Sequence, residues 1–292
     1  MSVADFEFIV TGDLIKIAKI RTEWQDDVEA PEEVIRVMKE NGVKADLFSF
    51  WQRVPDTAPK FDYVMEWDNW AVLEVSTYEH WFRKQINLGA RSAVNKAKKK
   101  GVEVRVVPLS DEFIAGVSEI YNETPVRQGR TFTHYGAGRE ELIKEFSRDK
   151  HRTDFVAAYF GSELVGFYQQ VYAGQCAHPF GGLTKIAHRD KSVNNALLSK
   201  SVELCAQKNI KYIVYGSFDY GSGASSLADW KHHNGFQKID LPRYYVPLTV
   251  KGKVGLKLGL HHGAKSLIPP KMREQLKDIR KAWLSRKIAP SK

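Results

Sequence analysis

The sequence predicts a mixed α+β fold. Period-two apolar alternation recurs along the chain, and amphipathic stretches of helical period are interleaved with it. Prolines, glycines and capping residues stand where one period gives way to the other.

In order, residues 14–20 (LIKIAKI) alternate and read as a strand. Pro31 opens a helix with Glu32 and Glu33 behind it, and Gly42 ends it. Residues 44–55 (KADLFSFWQRVP) alternate again and stop at Pro55. After a loop with Pro59, residues 61–76 read as a hairpin turning at Asp68-Asn69. Residues 77–101 read as one helix, capped by Thr77 and closed by Gly101. Trp81, Phe82, Ile86, Ala90, Ala93, Val94 and Ala97 form its apolar face; Arg83, Lys84, Arg91, Lys96, Lys98, Lys99 and Lys100 lie opposite. With the strand at 102–108, the first part reads β-α-β-β-α-β.

The second part opens with a helix capped by Ser110. A basic, aromatic loop follows at 126–138, then a helix at 139–147. Residues 154–160 and 163–174 form a hairpin around Gly161-Ser162. A strand from 176 is broken by Pro179 and Gly181-Gly182. An amphipathic helix (194–209), a buried strand (210–218), a short helix (225–236) and a last strand (237–250) complete it. The basic tail from Lys251 contains one expected helix, from Pro270 to about Lys287.

Apolar residues are 43% of the 292 and charged residues 27%, the balance of an ordinary globular protein, which excludes global disorder, a collagen-like fibre and a disulfide scaffold. Lys+Arg 44 minus Asp+Glu 35 leaves +9. A basic surface favours nucleic acid, a phosphorylated cofactor or anionic lipid; plain solubility charge is the alternative. Cys176 and Cys205 are the two cysteines, and neither belongs to a zinc-type spacing. The adjacent pairs His232-His233 and His261-His262 are expected to point apart, so no metal site is expected. No signal-peptide pattern opens the chain and no apolar run reaches the roughly 18 residues a membrane helix needs, so a cytoplasmic location without a membrane span is expected.

The element order from residue 110 resembles the GNAT acyltransferase fold. Within it, YGSFDYGSGASSLADWKHHNGF (215–236) resembles the motif of the Fem-type peptidyltransferase/acetyltransferase branch: a strand end, a Gly-rich turn, a short helix with an aromatic-Lys pair and a closing Gly-Phe. NNALLSKSVELCAQKNIKYIVYG (194–216) resembles the helix and strand before that motif, and WFRKQINLGARSAVNKAKKKGVEV (81–104) the basic helix ending the N-terminal half. The resemblance implies a degenerate GNAT-like half over 1–105, a GNAT-like acyltransferase domain over 106–250 and a basic helical tail over 251–292. It also implies transfer of an acyl or aminoacyl group to an amine on a small, anionic or peptide-like acceptor. The donor is acyl-CoA (acetyl-CoA) or, as the alternative, aminoacyl-tRNA, with no metal.

Acyl transfer needs stabilisation of an oxyanion and a route for the amine's proton. The resemblance gives Lys231 of Trp230-Lys231 the first task, the alternative being a surface lysine beside a core tryptophan. Asp219 and Tyr220 are candidate substrate residues, or simply turn formers. His178 lies where the acyl group sits in this fold and is the candidate proton relay, against an ordinary structural histidine. The usual glycine-containing CoA loop is replaced by HRDKSVNNALL (188–198), without glycine. His188, Arg189, Lys191, Asn194 and Asn195 there flank a helix N-terminus able to hold an anion, or form a solvated cap. Arg127, Arg130 and Tyr135, with His134, suit a phosphate or carboxylate, unless the arginines pair with acids such as Glu123. A non-catalytic RNA- or protein-binding module on the same scaffold is the reading from a different class.

Overall fold

The computed structural model describes residues 6–127, 130–219 and 226–263, with Arg130 described by its backbone alone. In chain order these form β1 (Phe8–Thr11), β2 (Ile17–Ile20), α1 (Pro31–Glu40), β3 (Leu47–Trp51), β4 (Val64–Glu74), α2 (Tyr78–His80) running into a π-turn (Trp81–Gln85), α3 (Leu88–Lys99) and β5 (Val102–Val107). There follow α4 (Asp111–Tyr121), the short β6 (Val126–Arg127) and β7 (Arg130–Thr131), α5 (Arg139–Ser147), β8 (Thr153–Phe160), β9 (Glu163–Ala173) and β10 (Cys176–Thr184). Next come α6 (Val193–Gln207), β11 (Tyr212–Ser217), α7 (Ser226–His233), β12 (Gln237–Pro247) and α8 (Val250–Lys257). The expected helix at 270–287 lies outside the described residues.

The described residues form two compact units, one within 1–23, 27–67 and 242–292, the other within 24–26 and 68–241. Residues 68–105 join the second unit because β4 pairs antiparallel with β11 and β5 with β8.

In the first unit β1 pairs antiparallel with β2, β2 parallel with β3, and β3 antiparallel with the end of β12. Ala18, Ile20, Val34, Met38, Phe48 and Phe50 form its core. α8 was not among the expected elements, and its glycines Gly252 and Gly255 lie against the unit. They are what lets it dock: a Cβ on Gly252 would stand 2.0 Å from the Asp46 carbonyl oxygen, and one on Gly255 would stand 2.3 Å from the Ile15 side chain. Thr249 caps the helix, accepting the Gly252 N–H at 2.9 Å.

In the second unit the strand order is β4-β11-β10-β9-β8-β5, with β10 and β11 parallel and the other neighbours antiparallel. Alternate residues of β8 serve two cores. Val156 and Ala158 pack with residues of α3 and α6; Phe155, Ala157 and Tyr159 pack with those of α4 and α5.

Two local expectations are corrected. Residues 64–74 are one strand, not a hairpin. Asp68-Asn69 lacks the glycine a tight hairpin turn favours. Its polar groups find partners far along the chain instead: the Asn69 carbonyl accepts from Phe218 N–H at 3.2 Å and the Asn69 side chain from Asp219 N–H at 2.6 Å. Residues 77–101 are not one helix. Ile86 is extended, and Asn87 caps a new helix by accepting the Ala90 N–H at 2.8 Å. The Arg91 guanidinium donates to the carbonyls of Phe82, Arg83 and Ile86, so backbone groups exposed by the break are satisfied. Asn87→Ala is expected to cost about 1 kcal/mol. A denaturation midpoint that falls with unchanged slope is the check.

Candidate active site

The site forms where β10 and β11 part. The two strands pair at Cys176–Tyr212 and Ala177–Ile213 and then diverge. β10 is bulged between Phe180 and Leu183, with Gly181 at φ +62°. β11 is irregular between Val214 and Ser217, with Gly216 at φ +61°. Both glycines occupy the left-handed region that side chains other than glycine disfavour. A cavity of about 550 Å³ fills the gap, lined by residues 178–183 of β10 and 214–216 of β11, with Trp24, Trp70 and Tyr121 completing its walls. Its size and aromatic lining suit a small ligand.

His178 lines this cavity, is 2% exposed, and stacks on Phe180 with ring centroids 5.9 Å apart. Lys231 does not reach the lining. It is wholly buried behind the wall, its Nζ donating to the Ser217 carbonyl at 2.5 Å and standing 5.3 Å from the centre of the Tyr215 ring, which lines the cavity. Burial pushes its amine down to about 8, against the opposing pull of Asp219.

The other expected residues are placed differently. Trp230 is partly buried against the core: it packs on Tyr215 and Phe236, and its indole N–H donates to Asn195 Oδ1 at 3.3 Å. Asn195 is buried and also donates to Asn234 at 3.0 Å, so it holds α6 to the end of α7 and is not placed to bind a cofactor. Asp219 is ion-paired with Lys238 at 2.8 Å. Arg127 donates to the Ile120 and Thr184 carbonyls and to Glu123, and stacks 5.1 Å from the Phe132 ring. It ties α4 to β10, as a guanidinium fork does well, and does not enter the cavity. Tyr135 is exposed; from its loop Phe132 and His134 line the cavity instead. Tyr220 and the Arg130 side chain lie outside the described residues.

The two residues just before the segment expected to receive an anion already hold a carboxylate. Residues Ile186–Lys191 form a 3₁₀ turn, and the Ile186 and Ala187 N–H groups donate to the Glu123 carboxylate at 2.8 and 3.1 Å. His188 pairs with Glu163 at 3.1 Å and Lys191 with Asp190 at 3.4 Å, while Arg189 is exposed. Lys185, with His188, holds the Glu163 carboxyl below its usual range. Asn194 accepts the Tyr168 hydroxyl at 2.5 Å. Burial raises the Cys205 thiol to about 12, far from a working nucleophile.

Trp24, Trp70, Tyr121 and Tyr215 were missed as site residues. Each sits in an ordinary strand, helix or loop pattern, and the splay alone brings them together.

Three solved structures share the arrangement. L-PGS from Bacillus licheniformis is 14% identical with a TM-score of 0.56, covering 84% of this chain and 81% of that one. FemX is 11% identical at 0.55, covering 81% and 83%. The fold is GNAT-like, of the Fem kind. The C-terminal domain of a protein assigned as a lysylphosphatidylglycerol synthetase from Agrobacterium fabrum has the same GNAT-like frame: 10% identity, TM-score 0.57, 87% and 88% covered. No protein-family model and no curated protein matches the chain. Among the described residues no helix is long and apolar enough to cross a membrane.

Proposed function

We propose that the protein transfers an aminoacyl group from aminoacyl-tRNA to an amine of a small anionic acceptor in the cavity between β10 and β11. What supports this choice of donor is that the 188–198 segment lacks the glycines of the usual CoA loop, and that the Ile186 and Ala187 N–H groups just before it already hold the Glu123 carboxylate. A pyrophosphate would have to displace a carboxylate already hydrogen-bonded there and salt-bridged to Arg127 at 3.0 Å. An aminoacyl ester needs no such turn. The Fem and lysylphosphatidylglycerol synthetase names of the structural neighbours support the same donor class.

In this reading the acceptor amine attacks the ester carbonyl. A C–N bond forms, charge collects on the carbonyl oxygen, and collapse breaks the C–O bond to the ribose. His178 takes the amine's proton and returns it to the leaving ribose oxygen. The Lys231 ammonium, behind Tyr215, stabilises the developing oxyanion electrostatically. The aromatic walls exclude water that would hydrolyse the ester.

The test compares donors on the full chain. Transfer from aminoacyl-tRNA is expected, with no change in melting temperature on adding acetyl-CoA. A ligand at a hundred times its dissociation constant would stabilise by about 2.7 kcal/mol, an easily measured shift. Stabilisation by acetyl-CoA together with acetyl transfer would reject the reading.

A further inference from the structure

The first unit carries a cluster that the transfer reaction does not use. Glu66 of β4 faces His261 and His262, which follow α8 in a 3₁₀ turn (Leu260–His262). Adjacent histidines were expected to point apart. Here their rings lie 4.0 Å apart at 41°, and both Nε2 atoms meet Glu66 Oε1, at 3.0 and 2.9 Å. The tight turn between Gly259 (φ +69°) and Gly263 (φ +82°) lets two long side chains converge on one carboxylate.

We propose that Glu66, His261 and His262 bind one divalent transition-metal ion of the Zn²⁺ class, which clips the turn after α8 to β4. The three ligand atoms lie within 4.8 Å of one another. Ligand atoms about 2.1 Å from a shared ion stand about 3.4 Å apart at the tetrahedral angle and about 3.0 Å apart at 90°, so the 3.0 and 2.9 Å separations between the imidazoles and the carboxylate need open by only a few tenths of an ångström to admit tetrahedral Zn²⁺. Two imidazoles and a carboxylate favour a borderline transition ion over Mg²⁺ or Ca²⁺. His261 is buried, with its ring edge-on to Tyr245 at 4.7 Å, whereas the His262 side chain is 48% exposed and leaves a path for the ion and for water ligands.

The support around the cluster sets its strength. His261 Nδ1 is buried with no hydrogen-bond partner among the described residues. A ligating histidine ordinarily donates that N–H, and losing such a contact typically weakens affinity about 10- to 100-fold. The site is therefore expected to bind about 10- to 100-fold more weakly than one whose ligating histidines are both supported in this way.

The test uses the full chain, stripped with a chelator and titrated calorimetrically with ZnCl₂. One equivalent is expected to bind, and saturating Zn²⁺ is expected to raise the melting temperature by about 5 °C. His262→Ala and Glu66→Gln should each weaken binding at least about tenfold and abolish the shift, while the His232→Ala/His233→Ala double variant binds normally. His262 is half exposed, so its truncation leaves folding intact and decides the matter even if Glu66→Gln does not fold. Absence of a one-to-one isotherm, or His262→Ala binding like the parent, overturns the proposal.

Discussion

Lys231→Met is expected to give a protein that is more stable at pH 7 and slower in transfer. The amine is fully buried and its pKa is pushed from 10.5 down to about 8. On that account the charged form costs the folded state roughly 3 kcal/mol. Methionine removes that cost at similar volume. It also strands the Ser217 carbonyl that Nζ bonds, which takes back about 1–3 kcal/mol. The net expectation is a gain of about 1 kcal/mol. For transfer, a cation held behind the Tyr215 ring, 5.3 Å from its centre, contributes on the order of 1–2 kcal/mol at an effective dielectric near 20, roughly tenfold in rate.

The same lysine makes two pH curves. Between pH 8 and 10.5 the unfolded chain holds the proton and the folded chain does not, so unfolding takes up a proton and stability rises with pH across that window. Activity moves the other way, because the cation that serves the oxyanion is lost. Transfer should fall along an alkaline limb centred near pH 8, and Lys231→Met should lack that limb. A variant that keeps the limb, or retains the full rate, removes Lys231 from the mechanism.

Gly182→Ala is expected to be the more damaging change. An added Cβ would stand 2.5 and 2.6 Å from Cε1 and Cδ1 of Tyr168. That ring is completely buried and its hydroxyl is held by Asn194, so it has no open space to turn into. Either β10 shifts at its bulge or the tyrosine leaves its packing. Overpacking of this kind costs about 2–3 kcal/mol. The melting temperature should drop by about 4–9 °C, and transfer should fall with it because Gly182 lines the cavity. Adding Tyr168→Leu should recover part of the loss, since the smaller side chain makes room. An unchanged melting temperature for Gly182→Ala alone would show that β10 tolerates a side chain there.

Elements governed by local physics were legible in the sequence. Pro31 with Glu32 and Glu33 starts α1, Ser110 caps α4 through the Phe113 N–H, and Gly161 at φ +60° turns β8 into β9. Each depends on atoms within a few residues, so spacing alone determined it. Lys231 and His178, the two residues singled out from the sequence, lie respectively behind the cavity wall and in its lining. What the tertiary structure decided is how polar groups are spent. Arg127 and the glycine-free turn at 188–198 have the residue types of an anion site, yet Arg127 bonds Glu123 and the Thr184 carbonyl 57 residues away, and His188 of that turn pairs with Glu163, 25 residues earlier. Trp230 and Asn195 look like ligand contacts but bond each other across 35 residues. His261 and His262 look like a pair pointing apart, yet they meet on Glu66, 195 and 196 residues earlier. A buried polar group must find a partner wherever the fold places one, and a partner so far along the chain leaves no mark in local periodicity.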